Sequence, residues 1–324
     1  MNLRAMPTLK TIRPRQDSTG DTRLHGHWVV LLRGAWLTLV IFTLGTFFAS
    51  LPVYLAQLQT PCAGTACWYT QLSAGQVGAL KGIGLSPGVY TVCTVAFTLA
   101  SVVLCLVVST LIVWRRSDDR MAMLVALLLV AFGPIFATGS VVAIPSPWRV
   151  PNECLYFLAL ALFMLVFLQF PSGQFVPRWM CWTLVVFLAG LVPTAFVAPL
   201  VPNTPVDQLT SLVSVGELAT LAIVQLYRYR RVSSPLQRQQ TKWVVFGIAA
   251  SVTVPVSGSV LKLIFPVLSE PGSLYPVALN VVSTCMTLFI PLSFGFAMLR
   301  SRLWDIDVLI NRTLVYARSR SSWR

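Results

Sequence analysis

Four groups of residues in this 324-residue chain could carry chemistry by their type and spacing. Glu217 stands inside the long apolar stretch 209–227, where a carboxyl costs several kcal/mol unless it is protonated, paired or hydrated; such a group marks a functional site by default. Its plain alternative is a protonated carboxyl bonded to a neighbouring helix. Cys62 and Cys67 are close enough to close a tight disulfide loop in an oxidising compartment, with Cys93 and Cys154 as other possible partners. Arg228, Arg230, Arg231, Arg238 and Lys242 crowd one short segment between Tyr227 and Trp243, a pattern that suits the phosphates of anionic lipid headgroups. Trp304, Asp305, Asp307 and Arg312 follow the final apolar stretch, where they would fix a linker at the membrane surface.

Other chemistries find no residues to support them. The sequence contains no H-E-x-x-H, G-x-S-x-G or Walker pattern, its only histidines are His25 and His27, and its seven cysteines include no C-x-x-C pair. The glycines of segment 82–88 look superficially like a phosphate loop but lack the spacing and the preceding strand. The expectation is therefore a chain that is not an enzyme, with no cofactor and no metal.

The elements that must hold these residues follow from composition. Hydrophobic residues make up 56% and charged residues 10%, with a mean hydropathy of +0.75, which excludes an ordinary soluble enzyme. Eight stretches are long and apolar enough to cross a bilayer as helices: 34–56, 89–113, 121–144, 154–170, 179–200, 209–227, 243–264 and 274–299. The predicted fold is an all-α polytopic membrane helix bundle in the cell membrane. Of the 24 Lys and Arg, all but Lys81, Arg149 and Lys262 fall on one side of that arrangement, which predicts cytoplasmic termini. The net charge of +14 is thus read as topological charge and lipid contact, with no nucleic-acid partner.

Three regions result: a basic cytoplasmic segment 1–33, an eight-span region 34–300, and a cytoplasmic linker and basic tail 301–324. The first span is read as a signal anchor, lacking a small-residue cleavage site. Trp148, Trp179, Trp182 and Trp243 fall at span ends, as interfacial aromatics do. The one long outer loop, 57–88, is too short for its own core and is expected to pack as a lid on the helix ends. Within it Ser73-Ala74-Gly75-Gln76 reads as a capping box opening a short helix toward Gly82. Pro134, Pro193, Pro255 and Pro291 interrupt spans three, five, seven and eight, and are read as kinks in packing helices. Cys105, Cys181 and Cys285 are expected to act as small apolar side chains.

Four strings then resemble a known family: QLSAGQVGALKGIGLSPG (Gln71–Gly88), FPSGQFVPRW (Phe170–Trp179), YRYRRVSSPLQRQQTKWVVFG (Tyr227–Gly247) and LRSRLWDIDVLINRTLVY (Leu299–Tyr316). Together they resemble the multi-span input region of bacterial membrane sensor histidine kinases, with a layout like that of the competence quorum-sensing kinase. Ser172 and Gln174 depart from the family pattern, where an acid and an arginine commonly stand. The resemblance implies a sensor, normally continued by further spans and a cytoplasmic kinase with a phospho-accepting histidine. Here Ala317 to Arg324 form a basic tail and no histidine follows position 27, so the chain reads as the input half truncated before the kinase. It also implies a homodimer or a partner membrane protein, with an unknown signal ligand. The competing readings are a membrane scaffold or partner subunit, and a small-molecule transporter using Glu217, Lys262 and the broken helices. The missing internal repeat counts against the transporter.

Overall fold

The computed structural model describes residues 26–62, 70–134, 147–170, 173, 175, 180–192, 220, 223, 227, 235–270 and 272–299, and the structural statements below concern these residues. They are helical, and their only extended pairing is a single bridge between Cys62 and Ser73. The helices are α1 (His27–Gln59), α2 (Ala74–Gly82), α3 (Pro87–Arg116), α4 (Arg120–Phe132), α5 (Arg149–Gln169), α6 (Met180–Val192), α7 (Pro235–Ile264) and α8 (Tyr275–Leu299). A 3-10 turn, Pro266–Ser269, joins the last two. Five of them, α1, α3, α5, α7 and α8, are long and apolar enough to cross a membrane by length and composition.

Helix α4 is central. Its sequence, RMAMLVALLLVAF, is apolar on every side, and nine of its thirteen residues are buried, as an all-round apolar helix requires. It packs against α1, α3 and α5. Asp119 caps its start by accepting from the Met121 N–H at 2.9 Å. The neighbouring helices bury faces with a 3.5-residue repeat: Thr43, Phe47, Ser50 and Tyr54 on α1, and Thr94, Thr98, Ser101, Cys105 and Ser109 on α3. Ser109 joins three helices at once, accepting from Trp36 Nε1 at 2.7 Å and donating to the Ala126 carbonyl at 2.8 Å.

The boundaries correct the sequence reading in several places. Helix α1 begins seven residues before the predicted span, taking in His27. In the third stretch α4 ends at Phe132 and Gly133–Pro134 form a turn, since a proline removes a helical N–H and crowds the preceding turn. Helix α6 is described from Met180 to Val192. Pro193, and residues 135–146, 193–219 and 300–324, which include much of the third, fifth and sixth stretches and the tail, lie outside the described residues. Pro255 does lie within α7. In α8 the helix is interrupted at Leu288, three residues before Pro291, and Leu288 N–H turns to the Cys285 carbonyl instead.

Glycines let α7 and α8 approach closely. A side chain at Gly247 would overlap Ser293 and come within 2.8 Å of the Phe289 carbonyl oxygen, and one at Gly258 would overlap Leu279. Small residues at such a crossing are how membrane helices gain packing without a hydrophobic drive between them. Beside the interruption Ser251 donates both to its own Gly247 carbonyl at 2.8 Å and to the Met286 carbonyl of α8 at 2.7 Å. A hydroxyl thereby serves a carbonyl at the proline-broken turn, as is usual within membranes.

The lid helix α2 is written in the sequence at both ends. Ser73 Oγ accepts from the Gln76 N–H at 3.2 Å and Gln76 Oε1 accepts from the Ser73 N–H at 2.9 Å, the reciprocal pair the spelling predicts. At the other end Leu85 N–H bonds the Leu80 carbonyl and Gly84 N–H the Lys81 carbonyl, each at 3.0 Å, with Gly84 at φ +80°. That left-handed position at Gly84 stops the helix. Ser73→Ala should cost about 1 kcal/mol locally, read as faster amide exchange at residues 74–77 with the rest of the chain unchanged.

Candidate functional site

Buried polar groups gather where the α2 segment packs on the ends of α1, α3 and α8, and Asn152 of α5 bonds the same helix α1 at Ser50. Leu72 and Leu80 of the lid segment pack with Phe47, Tyr54, Leu58 and Tyr90 into one apolar cluster, flanked by Val77 of α2 and Val277 of α8. Tyr90 is its centre. The ring is buried, and its hydroxyl donates to the Thr70 carbonyl at 2.8 Å while accepting from Asn280 Nδ2 at 3.1 Å. One phenol thus ties the lid, α3 and α8 together. About two turns along α3, the Tyr54 hydroxyl of α1 bonds the side chain of Thr98.

On the α5 side Asn152 is fully buried, donating to Ser50 Oγ of α1 and to the Trp148 carbonyl, both at 2.8 Å. Beside it the Arg149 guanidinium reaches Glu153 Oε1 at 2.7 Å, with the two side chains 26% and 7% exposed. Three polar atoms here have no hydrogen-bond partner: Asn152 Oδ1, Gln57 Oε1 and Thr70 Oγ1. Orphaned buried acceptors carry a desolvation penalty of about 1–3 kcal/mol each, so they accumulate where a structure changes state or takes up another molecule.

The chemistry this arrangement supports is binding and mechanical coupling. Its polar atoms are hydroxyls and amides plus one internally paired carboxylate, and no side chain in it is a nucleophile held by a base. Among the described residues no three His, Cys, Asp or Glu side chains are placed to hold a metal ion.

The residues singled out by sequence fare unevenly. Cys62 is disulfide-bonded, while Cys93, Cys105, Cys154, Cys181 and Cys285 are free; Cys67 lies outside the described residues. Cys105 is buried in the core, but Cys181 is exposed. Lys242 is exposed on α7, and Arg238 is placed only as a backbone position of that helix. Glu217, Arg228, Arg230, Arg231, Trp304, Asp305, Asp307 and Arg312 lie outside the described residues. None of the described ones enters the polar cluster.

What the sequence reading missed is Glu153, a deeply buried acid, together with Asn152, Tyr90 and Asn280. The spacing Arg149-x-x-x-Glu153 was a visible i,i+4 pair at the start of an apolar run. Asn280 was equally visible as an amide within one. Comparison of the chain with protein-family models, with curated proteins and with solved structures finds no match.

Proposed function

We propose that this chain is a multi-pass membrane input module of the sensor-kinase kind, which receives a signal at its outer lid and passes it to α8. In this reading eight helices span the cell membrane, both termini are cytoplasmic, the chain performs no phosphotransfer itself, and it works as a homodimer or with a partner membrane protein. The lid then faces outward, and Arg228, Arg230, Arg231, Arg238 and Lys242 meet anionic headgroups on the inner side. Trp304, Asp305, Asp307 and Arg312 form the output linker.

The observation that supports it is the Tyr90 hydroxyl. It holds the lid backbone at Thr70 and the α8 side chain Asn280 simultaneously, so a displaced lid changes the bonding of the last described helix. A signal molecule drives this only by preferring one lid position over another.

The test is to loosen the lid and watch α8. Reducing the Cys62 disulfide in the purified protein should raise amide exchange in residues 70–86 and, with it, in residues 275–282. Tyr90→Phe should speed lid exchange while abolishing the response of 275–282 to reduction. If that segment is indifferent to reduction in the unaltered protein, the lid does not signal through α8.

A transporter is the second reading, favoured by the buried hydroxyls Thr91, Thr94, Thr98 and Ser101 that α3 carries along one face. Substrate-dependent flux in proteoliposomes would establish it.

A further inference from the structure

Helices α7 and α8 change character halfway along, at one common level. Pro255 has no N–H to give the Ser251 carbonyl, and Pro291 has none for the Thr287 carbonyl, so each helix carries a proline break. The breaks lie side by side, since the Ser251 hydroxyl donates to the Met286 carbonyl at 2.7 Å. Where the ladder of α8 lapses at Leu288, the Leu288 N–H turns to Cys285 and the Thr287 hydroxyl takes over the Thr284 carbonyl at 2.7 Å. Hydroxyls on rotatable side chains keep carbonyls bonded while the backbone bends, which within a membrane removes the main cost of bending.

Burial divides at the same level. In the core half, Val244 of α7 and Ile290, Phe294, Ala297 and Met298 of α8 belong to the main apolar core, and a side chain at Gly295 would come within 2.8 Å of Val108 on α3. In the lid half, from Val252 to Thr287, Gly258 and Thr287 are the only buried positions among the described residues, and Leu263 is 82% exposed. The two arms of that half hold to each other: Leu279 occupies the space a side chain at Gly258 would need, and the Tyr275 hydroxyl donates to the Gly258 carbonyl at 3.3 Å. Their polar tie to α3 is the bond from Asn280 to the Tyr90 hydroxyl. Segments with few buried contacts are those that move at low free energy.

We propose that residues 252–287 form a hairpin paddle, hinged at Pro255 and Leu288 and steadied by Tyr90, which swings against the core half of α7 and α8. A signal at the lid reaches the paddle as a change of angle. That coupling rests on the input-module reading, whereas the hinge rests on α7 and α8 alone.

Pulsed electron–electron distance measurements on the full chain in nanodiscs test both, with redox-inert gadolinium labels carried by unnatural amino acids at the exposed positions Val107 on α3, Leu263 on the paddle and Leu292 in the core half of α8. Leu263 lies about 12 Å beyond Pro255 along the helix axis, so a change of about 20° at the hinge moves it by about 4 Å. Distances from 107 to 263 should be more widely spread than those from 107 to 292, and Tyr90→Phe should shift the first set by about that amount while leaving the second in place. Pro255→Ala combined with Pro291→Ala should narrow the spread at 263 toward that at 292; should that variant not fold, the two spreads in the unaltered chain decide. Equal spreads, or a Tyr90→Phe variant that leaves the 107–263 distances where they were or moves both sets together, would overturn the proposal. Reduction of the Cys62 disulfide separates the two readings: a shift at 263 supports the lid as driver, and no shift there with unequal spreads removes the lid as driver while the hinge stands.

Discussion

Arg149→Ala should destabilise the purified protein by about 3 kcal/mol, the size expected when one partner of a buried ion pair is removed and the other is left behind. The reason is the asymmetry of the pair. Glu153 is only 7% exposed while Arg149 is 26% exposed, so losing the arginine strands the carboxylate whereas water can still reach the arginine if the glutamate is lost. Its neighbourhood cannot compensate, because Asn152 has already committed its amide hydrogens to Ser50 and Trp148. Glu153→Gln should therefore cost less than Arg149→Ala, and the double variant Arg149→Met with Glu153→Leu should recover most of the loss, since an apolar pair of similar volume needs no desolvation. Thermal or denaturant unfolding in detergent measures all three. A double variant as unstable as Arg149→Ala would mean that the pair is needed for itself.

Gly247→Val should be at least as damaging. Its Cβ would overlap the Ser293 side chain and approach the Phe289 carbonyl oxygen to 2.8 Å, and only the first of these is a side chain that can turn away. Overpacking usually costs about 1–3 kcal/mol, occasionally more, and here it also separates α7 from α8 at the bond from Ser251 to the Met286 carbonyl. Adding Ser293→Gly should rescue the variant only in part, because the carbonyl stays. Gly45→Ala is the matched control: nothing lies within 4 Å of its Cβ, and a helical alanine should be neutral or stabilising by up to about 1 kcal/mol. Full rescue by Ser293→Gly would show that the backbones can part more readily than this packing implies.

Both sites lie at the limit of what a sequence reveals. The long apolar stretches needed only hydropathy, and α1, α3, α5, α7 and α8 stand close to the predicted spans because apolar length is itself the physical requirement. The start of lid helix α2 was legible in detail, since a capping box is a local interaction written in adjacent residues. Helix α4 was legible as apolar but not as short, because the sequence does not show whether a proline will bend a helix or end it. The polar cluster escaped for a different reason. Tyr90 and Asn280 are separated by 190 residues, and Ser50 and Asn152 by 102. Serines, threonines and asparagines in an apolar run look alike until the partner helix is known. A search for buried charge alone settled on Glu217 and passed over Glu153, which carries its partner one turn away.

The all-round burial of α4 bears on how such a protein is made. A helix that presents no face to lipid has nowhere to rest before its neighbours arrive, so α4 reaches its final environment only when α1, α3 and α5 have closed around it. During synthesis α5 emerges after α4, and until then one side of α4 lacks its permanent cover. Damage to the α4-facing side of any of the three should accordingly appear as failed biogenesis and proteolysis of the whole chain rather than as local loosening.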